Sequence, residues 1–225
     1  MSDVCGEPAL MKVVKRLRRA RRVDDVVLAT SVDPADDVLE DWGRSQGLAV
    51  HRGSEEDVLQ RVVDAQRMMD SEVVVEMTGD CLLLDPELID VGIVTFLEND
   101  CDVVSNTWKQ SFPNGINVQV FGLADLADVA RTVDDPAVRE HVSLYFYEHP
   151  ERYRVFHLFA PDRWYGPEIR LSLDYHEDHE LISTIYRRLV PTYGEEFGTE
   201  EIMALLRAEP ALIDINRHRA QRSPR

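Results

Sequence analysis

The fold is decided by the segment Val73-Val74-Val75-Glu76-Met77-Thr78-Gly79-Asp80-Cys81-Leu82-Leu83-Leu84-Asp85-Pro86. Its opening β-branched run predicts a buried strand, and its closing proline suits the first turn of a following helix. Thr78, Gly79 and Asp80 follow the predicted strand at its carboxyl end. Ligands of open α/β sheets bind at that edge, so Asp80 is placed to hold a metal ion bound to phosphates. The competing interpretation is that Asp80 caps the next helix.

The composition is that of a globular domain, with 44% hydrophobic and 30% charged residues. The length suits one α/β domain spanning residues 1–225. No apolar run approaches the about 18–20 residues of a membrane span, and no signal-peptide pattern opens the chain. We therefore expect a cytoplasmic protein with no membrane partner. Its cysteines lack metal-ligand spacing and are expected to be reduced thiols: Cys5, Cys81 and Cys101.

The chain is strongly acidic, with 42 Asp and Glu against 25 Lys and Arg and a formal net charge of −17. This charge repels the phosphates of nucleic acid, so we expect no nucleic-acid partner. A single nucleotide remains compatible with the composition, because one metal ion and a few arginines can reverse the local sign of the charge.

The first half of the chain alternates between helical and strand patterns. Helices are predicted at residues 8–22, from Asp33 to Gly43 or Gly47, from a cap at Ser54, and at 86–97. Strands are predicted at residues 26–30, 48–50, from Val73, and at 102–105. This alternation indicates parallel strands with crossover helices on both faces of a sheet.

The pattern changes after residue 115. Residues 116–121 alternate between apolar and polar with period two, as in a half-exposed strand. Further strands are predicted at 153–159 and 169–173, and further helices at 123–133, 136–147, 177–189 and 199–207. We interpret the chain as a single α/β domain with a small β-rich insertion.

The predicted sheet has an unusual beginning, because a helix pattern is the first element. A parallel α/β sheet normally starts with a strand whose following loop presents backbone amides to phosphate. We expect the sheet either to lack this central strand or to fill its place with another segment.

Several short motifs occur in one order along residues 4–218. They are Arg16-Leu17-Arg18-Arg19-Ala20, Arg52-Gly53-Ser54-Glu55-Glu56-Asp57-Val58-Leu59, Thr78-Gly79-Asp80-Cys81, Ser105-Asn106-Thr107, Phe112-Pro113-Asn114-Gly115, Arg139-Glu140-His141-Val142, Arg170-Leu171-Ser172-Leu173-Asp174 and Ile215-Asn216-Arg217-His218. In this order they resemble the cytidylyltransferase family, which includes the deoxy-octulosonate cytidylyltransferases and the nucleotidyltransferases of spore-coat polysaccharide synthesis. The resemblance is closer to the spore-coat branch.

The resemblance implies a Rossmann-like three-layer α/β/α sandwich of the nucleotide-diphospho-sugar transferase type, with a mostly parallel sheet, in a homodimer. It also implies Mg²⁺-dependent transfer of CMP from CTP to a sugar or sugar acid, with release of pyrophosphate. Asp80 and Asp174 would be the catalytic and metal-binding carboxylates. The implied nucleotide-binding residues are Arg52, Gly53, Ser54, Arg61, Thr78 and Gly79. The implied sugar-binding residues are Asn106, Asn114, Asn117, Arg139, Glu140 and His141.

The chain also departs from the family pattern. The family's first strand and its phosphate-binding loop have no counterpart, so either the native protein starts upstream of Met1 or this is a shortened, inactive relative. Glu76 stands where the family commonly has arginine. Asn117 and Gln119 replace an aspartate and a glutamate, which would change the sugar that is held.

Other interpretations remain open at this point. Asp174 could cap the helix after it, and Arg139-Glu140-His141 could be a solvated face. The segment His176-Glu177-Asp178-His179 superficially suggests zinc, although acidic residues are expected in a first helical turn. The leading hypothesis is a CMP-sugar synthetase-like nucleotidyltransferase of surface polysaccharide synthesis. The rivals are a catalytically inactive nucleotide-binding or scaffold protein and a glycosyltransferase that uses a nucleotide-sugar donor.

Overall fold

The structure is a computed structural model and describes residues 2–219. Its strands are β1 (Asp3–Val4), β2 (Glu7–Pro8), β3 (Val27–Ser31), β4 (Ala49–Gly53), β5 (Val73–Val75), β6 (Val103–Ser105), β7 (Gln119–Gly122) and β8 (Val155–His157). Its α-helices are α1 (Ala9–Leu17), α2 (Asp37–Ser45), α3 (Val58–Met68), α4 (Pro86–Glu98), α5 (Leu123–Thr132), α6 (Pro136–Glu140), α7 (Leu144–Glu148), α8 (His176–Tyr193) and α9 (Thr199–Ala208). Short 3-10 helices span Pro34–Asp36, Asp162–Trp164, Gly194–Glu196 and Pro210–Ile215.

The strands form two main sheets. Strands β3 and β4 pair in parallel, from Val27 opposite Ala49 to Ser31 opposite Gly53. The other sheet has the order β5-β7-β6-β8, in which β7 is antiparallel to both neighbours and β6 and β8 are parallel. The predicted α/β sandwich is confirmed, but its strand pairing is mixed. The reason is that the alternating segment, expected as an insertion, supplies β7 in the interior of the second sheet.

Helices cover both faces of these sheets, around two apolar clusters. One cluster joins buried side chains of α1, α4, α8 and α9 to the Leu82–Leu84 run. The other joins α3, α5, α6 and α7 to the opposite side of β5, β6 and β7. Successive side chains of the central strands point alternately into the two clusters. The result is a sheet layer between two helical layers.

Within residues 2–219 the sheet is divided between β3 and β5. Strand β3 pairs only with β4, and β5 pairs only with β7, among the strands of residues 2–219. The expectation that a central strand is missing is therefore confirmed for this part of the chain.

Several predicted boundaries are wrong. The helix expected at 136–147 is two short helices, α6 and α7, separated by an extended His141. The strand expected at 169–173 is reduced to a single bridge between Asn114 and Arg170. Helix α3 is capped by Asp57, whose side chain accepts from the Gln60 N–H, and not by Ser54. The β1–β2 hairpin was not predicted, because its strands have two residues each.

None of the helices within residues 2–219 combines the length and the apolar character that crossing a bilayer requires.

Candidate nucleotide and metal site

Asp80 lies in the loop between β5 and α4. Asp85 caps α4, because its Oδ1 accepts hydrogen bonds from the backbone N–H groups of Glu87 (2.9 Å) and Leu88 (3.3 Å). The interpretation of Asp80 as the cap of this helix is therefore wrong. A second carboxylate within the same loop already satisfies the orphan donors of the helix, which leaves the Asp80 side chain for another role.

The loop that carries Asp174 packs directly on the Asp80 loop. The Leu173 N–H donates to the Asp80 carbonyl at 3.0 Å, although the residues are far apart in sequence. The first turn of α8 is closed by Asp178, which accepts from the N–H groups of Asp174 (3.0 Å) and Tyr175 (2.9 Å). Asp174 is therefore not the cap of α8 either, and its side chain stands beside the Asp80 loop.

The Asp174 carboxylate is positioned by two neighbours, both of which contact its Oδ2. These are the guanidinium of Arg170 and the hydroxyl of Ser172, the latter at 3.3 Å. Arg170 is itself held by a salt bridge of 3.0 Å to Asp178, whose side chain is completely buried. Asp174 remains 41% exposed. A fixed, exposed carboxylate is what a ligand site at this edge requires.

These residues fit a magnesium ion. Mg²⁺ takes oxygen ligands in octahedral geometry, and in nucleotide sites it is held by one or two carboxylates together with phosphate and water oxygens. Asp80 and Asp174, on loops joined by a backbone hydrogen bond, supply that number of carboxylates. Within residues 2–219 no group of three or more His, Cys, Asp and Glu side chains could hold a metal on its own.

The segment that superficially suggested zinc serves other purposes. Asp178 is paired with Arg170, and Glu177 is paired with Arg219 at 2.6 Å. The His179 ring nitrogen lies 2.6 Å from the Asp3 carbonyl, which ties α8 to the β1–β2 hairpin. The segment thus stabilises the fold around α8.

Cys81 lies at the acidic edge, the end of the sheet whose loops carry Glu76, Asp80 and Asp174, and its thiol is 4.0 Å from Asp80 Oδ1. The Asn117 amide donates to the Cys81 sulfur at 3.7 Å, and Asn117 Oδ1 accepts from the Gly115 N–H at 3.3 Å. Burial raises the pKa of the Cys81 thiol, and the charges of Asp80, Glu76 and Asp174 add to the effect. The predicted sugar ligand Asn117 and the predicted metal ligand Asp80 therefore both lie against the Cys81 sulfur.

Glu76 is a site residue whose role the sequence did not reveal. Burial raises the pKa of its carboxyl to about 7, the Asp80 charge contributes, and a hydrogen bond from Gln119 opposes the shift. The Gln119 amide donates to Glu76 at 2.9 Å and accepts from the Tyr147 hydroxyl at 2.6 Å. Tyr147 also lies 2.6 Å from the Ser105 hydroxyl. The unusual residue type at position 76 was the available signal, but its network comes from distant β7 and α7.

Arg52 is fully engaged inside the fold. It donates to the Ser31 carbonyl (2.8 Å) and forms salt bridges with Asp37 (2.6 Å) and Glu40 (2.8 Å). A further N–H donates to the Asp33 carbonyl at 2.7 Å. These contacts fasten β4 to β3 and α2. Nucleotide binding by Arg52 stays a prediction.

Arg61 is better placed for a ligand. It crosses Gly53, where an added Cβ would lie only 2.9 Å from its Cγ, and it donates to the Ser54 carbonyl at 2.6 Å. Its Nε is buried and has no hydrogen-bond partner among residues 2–219. Burial lowers the pKa of Arg61. A glycine is therefore required at position 53 because any side chain would collide with Arg61. The Nε of Arg61 remains available as a hydrogen-bond donor.

One cavity of about 480 Å³ brings members of both predicted groups together. Its lining includes Arg61, Thr78, Gly79, Glu140 and His141. Gly79 has open space on its Cα side, where only Leu10 would touch an added Cβ, at 3.5 Å. The backbone at Gly79 can therefore be approached closely by a ligand.

The side chains of three other residues predicted to bind the sugar form hydrogen bonds or salt bridges within the protein. Asn106 is buried, donates to the Ile116 carbonyl and accepts from the Val118 N–H, both at 2.8 Å. Asn114 donates to the Ser172 hydroxyl at 3.2 Å. Arg139 pairs with Asp57 at 3.1 Å, donates to two backbone carbonyls, and so is not part of a solvated face. Sugar binding by these three residues stays a prediction.

The two aspartate loops at one edge of an α/β sandwich define the class of protein, which is the nucleotidyltransferase-like fold. Solved structures agree. A cytidylyltransferase from Leptospira borgpetersenii serovar Hardjo-bovis (strain JB197) superposes with a TM-score of 0.87 at 25% identity, covering 98% of this chain and 90% of that one. A CMP:2-keto-3-deoxy-manno-octonic acid synthetase complexed with CTP superposes with a TM-score of 0.60, covering 83% and 90%, and at 13% identity it supports the fold alone.

The family follows from the sequence as well. The cytidylyltransferase family matches residues 1–207, and the chain belongs to it. Spore coat polysaccharide biosynthesis protein SpsF of Bacillus subtilis (strain 168) is 37% identical over 191 residues, which are 83% of this chain and 76% of that protein. The resemblance inferred from the motifs is thereby confirmed.

Proposed function

We propose that this protein transfers CMP from CTP to a hydroxyl group of a sugar or sugar acid, in the synthesis of a surface polysaccharide. Membership of the cytidylyltransferase family and the likeness to a spore-coat polysaccharide protein support the reaction and its setting. The observation that carries the proposal is the hydrogen bond from Leu173 to the Asp80 carbonyl, which brings the loops of both aspartates to one edge.

The reaction is a displacement at the α-phosphorus of CTP. The sugar oxygen forms a bond to this phosphorus, the bond to the bridging oxygen of the β-phosphate breaks, and pyrophosphate leaves. Such transfers depend mostly on positioning and on neutralising charge. Asp80 and Asp174 would hold Mg²⁺, which when bound supplies positive charge to the phosphate oxygens.

The chain's own residues position and neutralise the reactants. Arg170 and Ser172 orient the Asp174 carboxylate through its Oδ2. Arg61, with its unused Nε, is the cation that lines the cavity beside Thr78 and Gly79. Glu76, whose carboxyl pKa is raised to about 7, can accept a proton near neutral pH, and we assign it the proton of the attacking hydroxyl.

The sugar would be bordered by neutral amides. Asn117 lies at the acidic edge, and Gln119 is held by Tyr147 and Glu76. Hydroxyl groups can donate to and accept from such amides without a charge penalty. We further propose a cytoplasmic homodimer, which light scattering of the purified protein at several concentrations would test.

The experiment has two parts. Calorimetry with CTP, CMP, UTP and UDP-sugars in Mg²⁺ measures which nucleotide binds, and pyrophosphate release measures transfer to a panel of sugar acids and sugars. Asp80→Asn and Asp174→Asn are expected to lower the transfer rate by at least about 100-fold, because each removes a charge that supplies several kcal/mol of stabilisation. Asp41→Asn, on the exposed side of α2, is the matched control and should retain the rate.

A second candidate is a catalytically inactive binding or scaffold protein. It is favoured by the divided sheet and by the internal engagement of Arg52, Asn106 and Arg139. If calorimetry detects no binding of any nucleotide, the result would support a scaffold protein and reject CMP transfer. Tight binding of a UDP-sugar with no response to CTP would instead indicate a glycosyltransferase.

A further inference from the structure

Trp108 is an exposed aromatic residue whose ring is held in one orientation. It lies in the turn that follows β6, and 48% of the residue is exposed. Its ring stacks on the ring of Tyr147, with centroids 4.9 Å apart and planes 21° from parallel. Because Tyr147 covers one face of the indole, the exposed area lies mainly on the other face. Such a fixed aromatic surface can contact a ligand with little loss of side-chain entropy.

The ring of Tyr147 is itself fixed by its hydroxyl group. Tyr147 is buried at the end of α7. Its hydroxyl lies 2.6 Å from that of Ser105 and 3.0 Å from that of Thr107, and it donates to the Gln119 side chain at 2.6 Å. These partners belong to the end of β6, the turn after it and the start of β7. Trp108 therefore packs on a ring that the sheet itself positions.

The stacked pair is connected to the acidic edge through Gln119. The Gln119 side chain accepts from Tyr147 and donates to Glu76 at 2.9 Å. Strands β5 and β6 run in the same direction, because β7 is antiparallel to both of them. The turn after β6 and the loop after β5 therefore lie at the same edge of the sheet. Trp108 lies on one side of Gln119, and Glu76, to which we assign the proton of the attacking hydroxyl, lies on the other.

Trp108 lies away from the cavity in which we place the nucleotide. Arg61, Thr78 and Gly79 line that cavity, which borders β5. Strand β7 separates β5 from β6. At the usual spacing of strands, the turn after β6 is about 10 Å from the end of β5. A ring that contacts Trp108 and also reaches Glu76 is therefore the ring of the acceptor, and not the base of CTP.

We propose that Trp108 is a specificity-determining residue of the acceptor site, on whose free face the sugar ring stacks. The inference rests on the proposed CMP transfer and deepens it. The C–H groups of a sugar ring carry a slight positive charge, whereas the face of an indole is negative. Hydroxyl groups at the rim of the stacked ring reach Gln119 and Glu76, which can accept hydrogen bonds from them. Stacking thus orients the attacking hydroxyl toward its proton acceptor.

This surface selects the acceptor by the shape of its ring. A pyranose with equatorial hydroxyls presents only C–H groups on its faces. An axial hydroxyl on the stacked face would hold the ring away from the indole and would lose its hydrogen bonds to water. The acceptor is therefore a cyclic sugar with at least one face free of axial hydroxyls, and its charge is read elsewhere.

The kinetic test compares Trp108→Ala and Trp108→Phe by pyrophosphate release with the panel of sugars and sugar acids. Trp108→Ala should raise the KM of the acceptor at least about tenfold, which corresponds to about 1.4 kcal/mol. It should leave kcat and the KM of CTP within about twofold, because stacking binds the ground state and the transition state equally. Trp108→Phe retains a smaller stacking face and should raise the acceptor KM by less than about threefold.

Tyr193→Ala is the matched control. Tyr193 is also 48% exposed, but it ends α8, whose 18 residues place it about 27 Å from the acidic edge where that helix begins. All of its kinetic constants should match those of the native chain. The melting temperature of each variant is measured as well, so that a folding defect is recognised.

A binding experiment that needs no turnover uses saturation-transfer NMR of the full chain with CTP and Mg²⁺. The probes are methyl β-glucopyranoside and glucuronic acid, which have equatorial hydroxyls. Methyl β-altropyranoside, with axial hydroxyls on both faces, is the control. Ring C–H groups of the two probes should receive the strongest saturation, the altroside should receive little, and Trp108→Ala should remove the signal.

The outcomes separate this inference from the proposed function. Saturation that depends on Trp108 in a chain that releases no pyrophosphate would uphold the stacking site and reject CMP transfer. Turnover with an unchanged acceptor KM in Trp108→Ala would uphold CMP transfer and overturn the inference. An equal rise in the KM of CTP would overturn it too, because the indole would then stack on the base. So would a native chain in which no sugar ring of the panel is saturated.

Discussion

At the scale of single residues, Glu76 has the least ordinary environment in the acidic edge. Its carboxyl is withdrawn from water, lies in the field of Asp80, and has one neutral donor, Gln119, at 2.9 Å. A carboxyl in such surroundings favours its protonated form. Asp174, at the same edge, differs from Glu76 because its carboxylate is paired with the charged guanidinium of Arg170.

This environment predicts a dependence of stability on pH. The pKa of Glu76 is raised from 4.5 to about 7, so the folded state keeps a proton that the unfolded state releases. The free energy of unfolding should therefore fall as the pH rises from 4.5 to 7, by up to about 3 kcal/mol. Glu76→Gln, which can still accept the hydrogen bond from Gln119, should remove this slope. Urea unfolding of both proteins across this pH range is the measurement, and equal slopes would contradict the assignment.

Glu177 provides a contrast of opposite sign. Its hydrogen bond and salt bridge with Arg219 lower its pKa from 4.5 to about 2. Its contribution is therefore present above pH 4.5 and is lost as the pH falls toward 2. Glu177→Gln should alter stability in that lower window and leave the Glu76 window unchanged, so the two titrations can be separated in the same experiment.

The sequence was informative for the aspartates and less so for the residues around them. The position of Asp80 after a β-branched run and the family motif at Asp174 were sufficient to select both. Residue type alone did not distinguish a ligand from a structural contact, because Arg52 and Asn106 satisfy backbone groups that only the folded chain brings close. The raised pKa of Glu76 likewise depends on burial, which no local pattern specifies.

At the scale of elements, the loop after Phe112 is fixed by a close approach of two backbones. Gly115 has a φ of +98°, and an added Cβ would lie 2.5 Å from the carbonyl carbon of Leu171. Asn114 pairs with the same segment, because its carbonyl accepts from the Leu171 N–H at 2.6 Å. This contact replaces the strand that the sequence predicted at residues 169–173.

Gly115→Ala should therefore cost more than conformational strain. We expect a loss of at least about 3 kcal/mol in the free energy of unfolding, from the positive φ and the clash with Leu171 together. Gly47→Ala is the control, since Gly47 has a φ of +70° with nothing within 4 Å of an added Cβ, and should cost about 1 kcal/mol. Chemical denaturation of both variants measures the difference, and equal losses would mean that the loop moves aside.

Asp85 joins two helices through one side chain. It caps α4 through Oδ1, and its Oδ2 accepts from the Thr199 N–H at 2.7 Å, at the start of α9. Asp85→Ala should lower the free energy of unfolding by about 2–4 kcal/mol, because it removes a cap and leaves a buried N–H unsatisfied. Asp33→Ala removes an exposed cap with a single bond to Ala35 and should cost about 1 kcal/mol. Thermal denaturation of the two variants compares them, and a similar loss would show that Thr199 finds water.

Long, periodic elements were predictable, and short ones were not. Helices α4, α5 and α9 begin within a residue or two of the predicted positions, because Pro86 or a regular apolar period marks them. The predicted helix at 136–147 fails because His141 is extended, which allows Val138, Val142 and Leu144 all to reach the second core cluster. Packing at long range outweighs helix propensity in that segment.

At the scale of the whole molecule, the division of the sheet separates the β3–β4 pair from the β5–β8 sheet, so the two are joined mainly by side-chain packing. Strands β3 and β4 pack on α2 and α3, whereas β5 to β8 share two apolar clusters with α1 and with α3 to α9. Helix α3 is the main link, because its Leu59 and Val63 belong to the second cluster. This division followed from the order of predicted elements, but the placement of β7 between β5 and β6 did not. The alternation of apolar and polar residues in β7 predicts a strand, but it does not indicate which strands β7 pairs with or in which direction.

The unit formed by β3, α2 and β4 should open before the rest of the molecule. Among the strands of residues 2–219 it has no neighbour on the β5 side, and β3 and β4 are less buried than β6 and β7, so their backbone hydrogen bonds are less protected. Native-state hydrogen exchange in dilute denaturant should give amides of residues 27–31 and 49–53 an opening free energy at least about 2 kcal/mol below that of residues 103–105 and 119–122. Val104 and Phe121 are completely buried and serve as the reference for global unfolding. Convergence of all four segments on one opening free energy would mean that α3 alone couples the two sheets into a single cooperative unit.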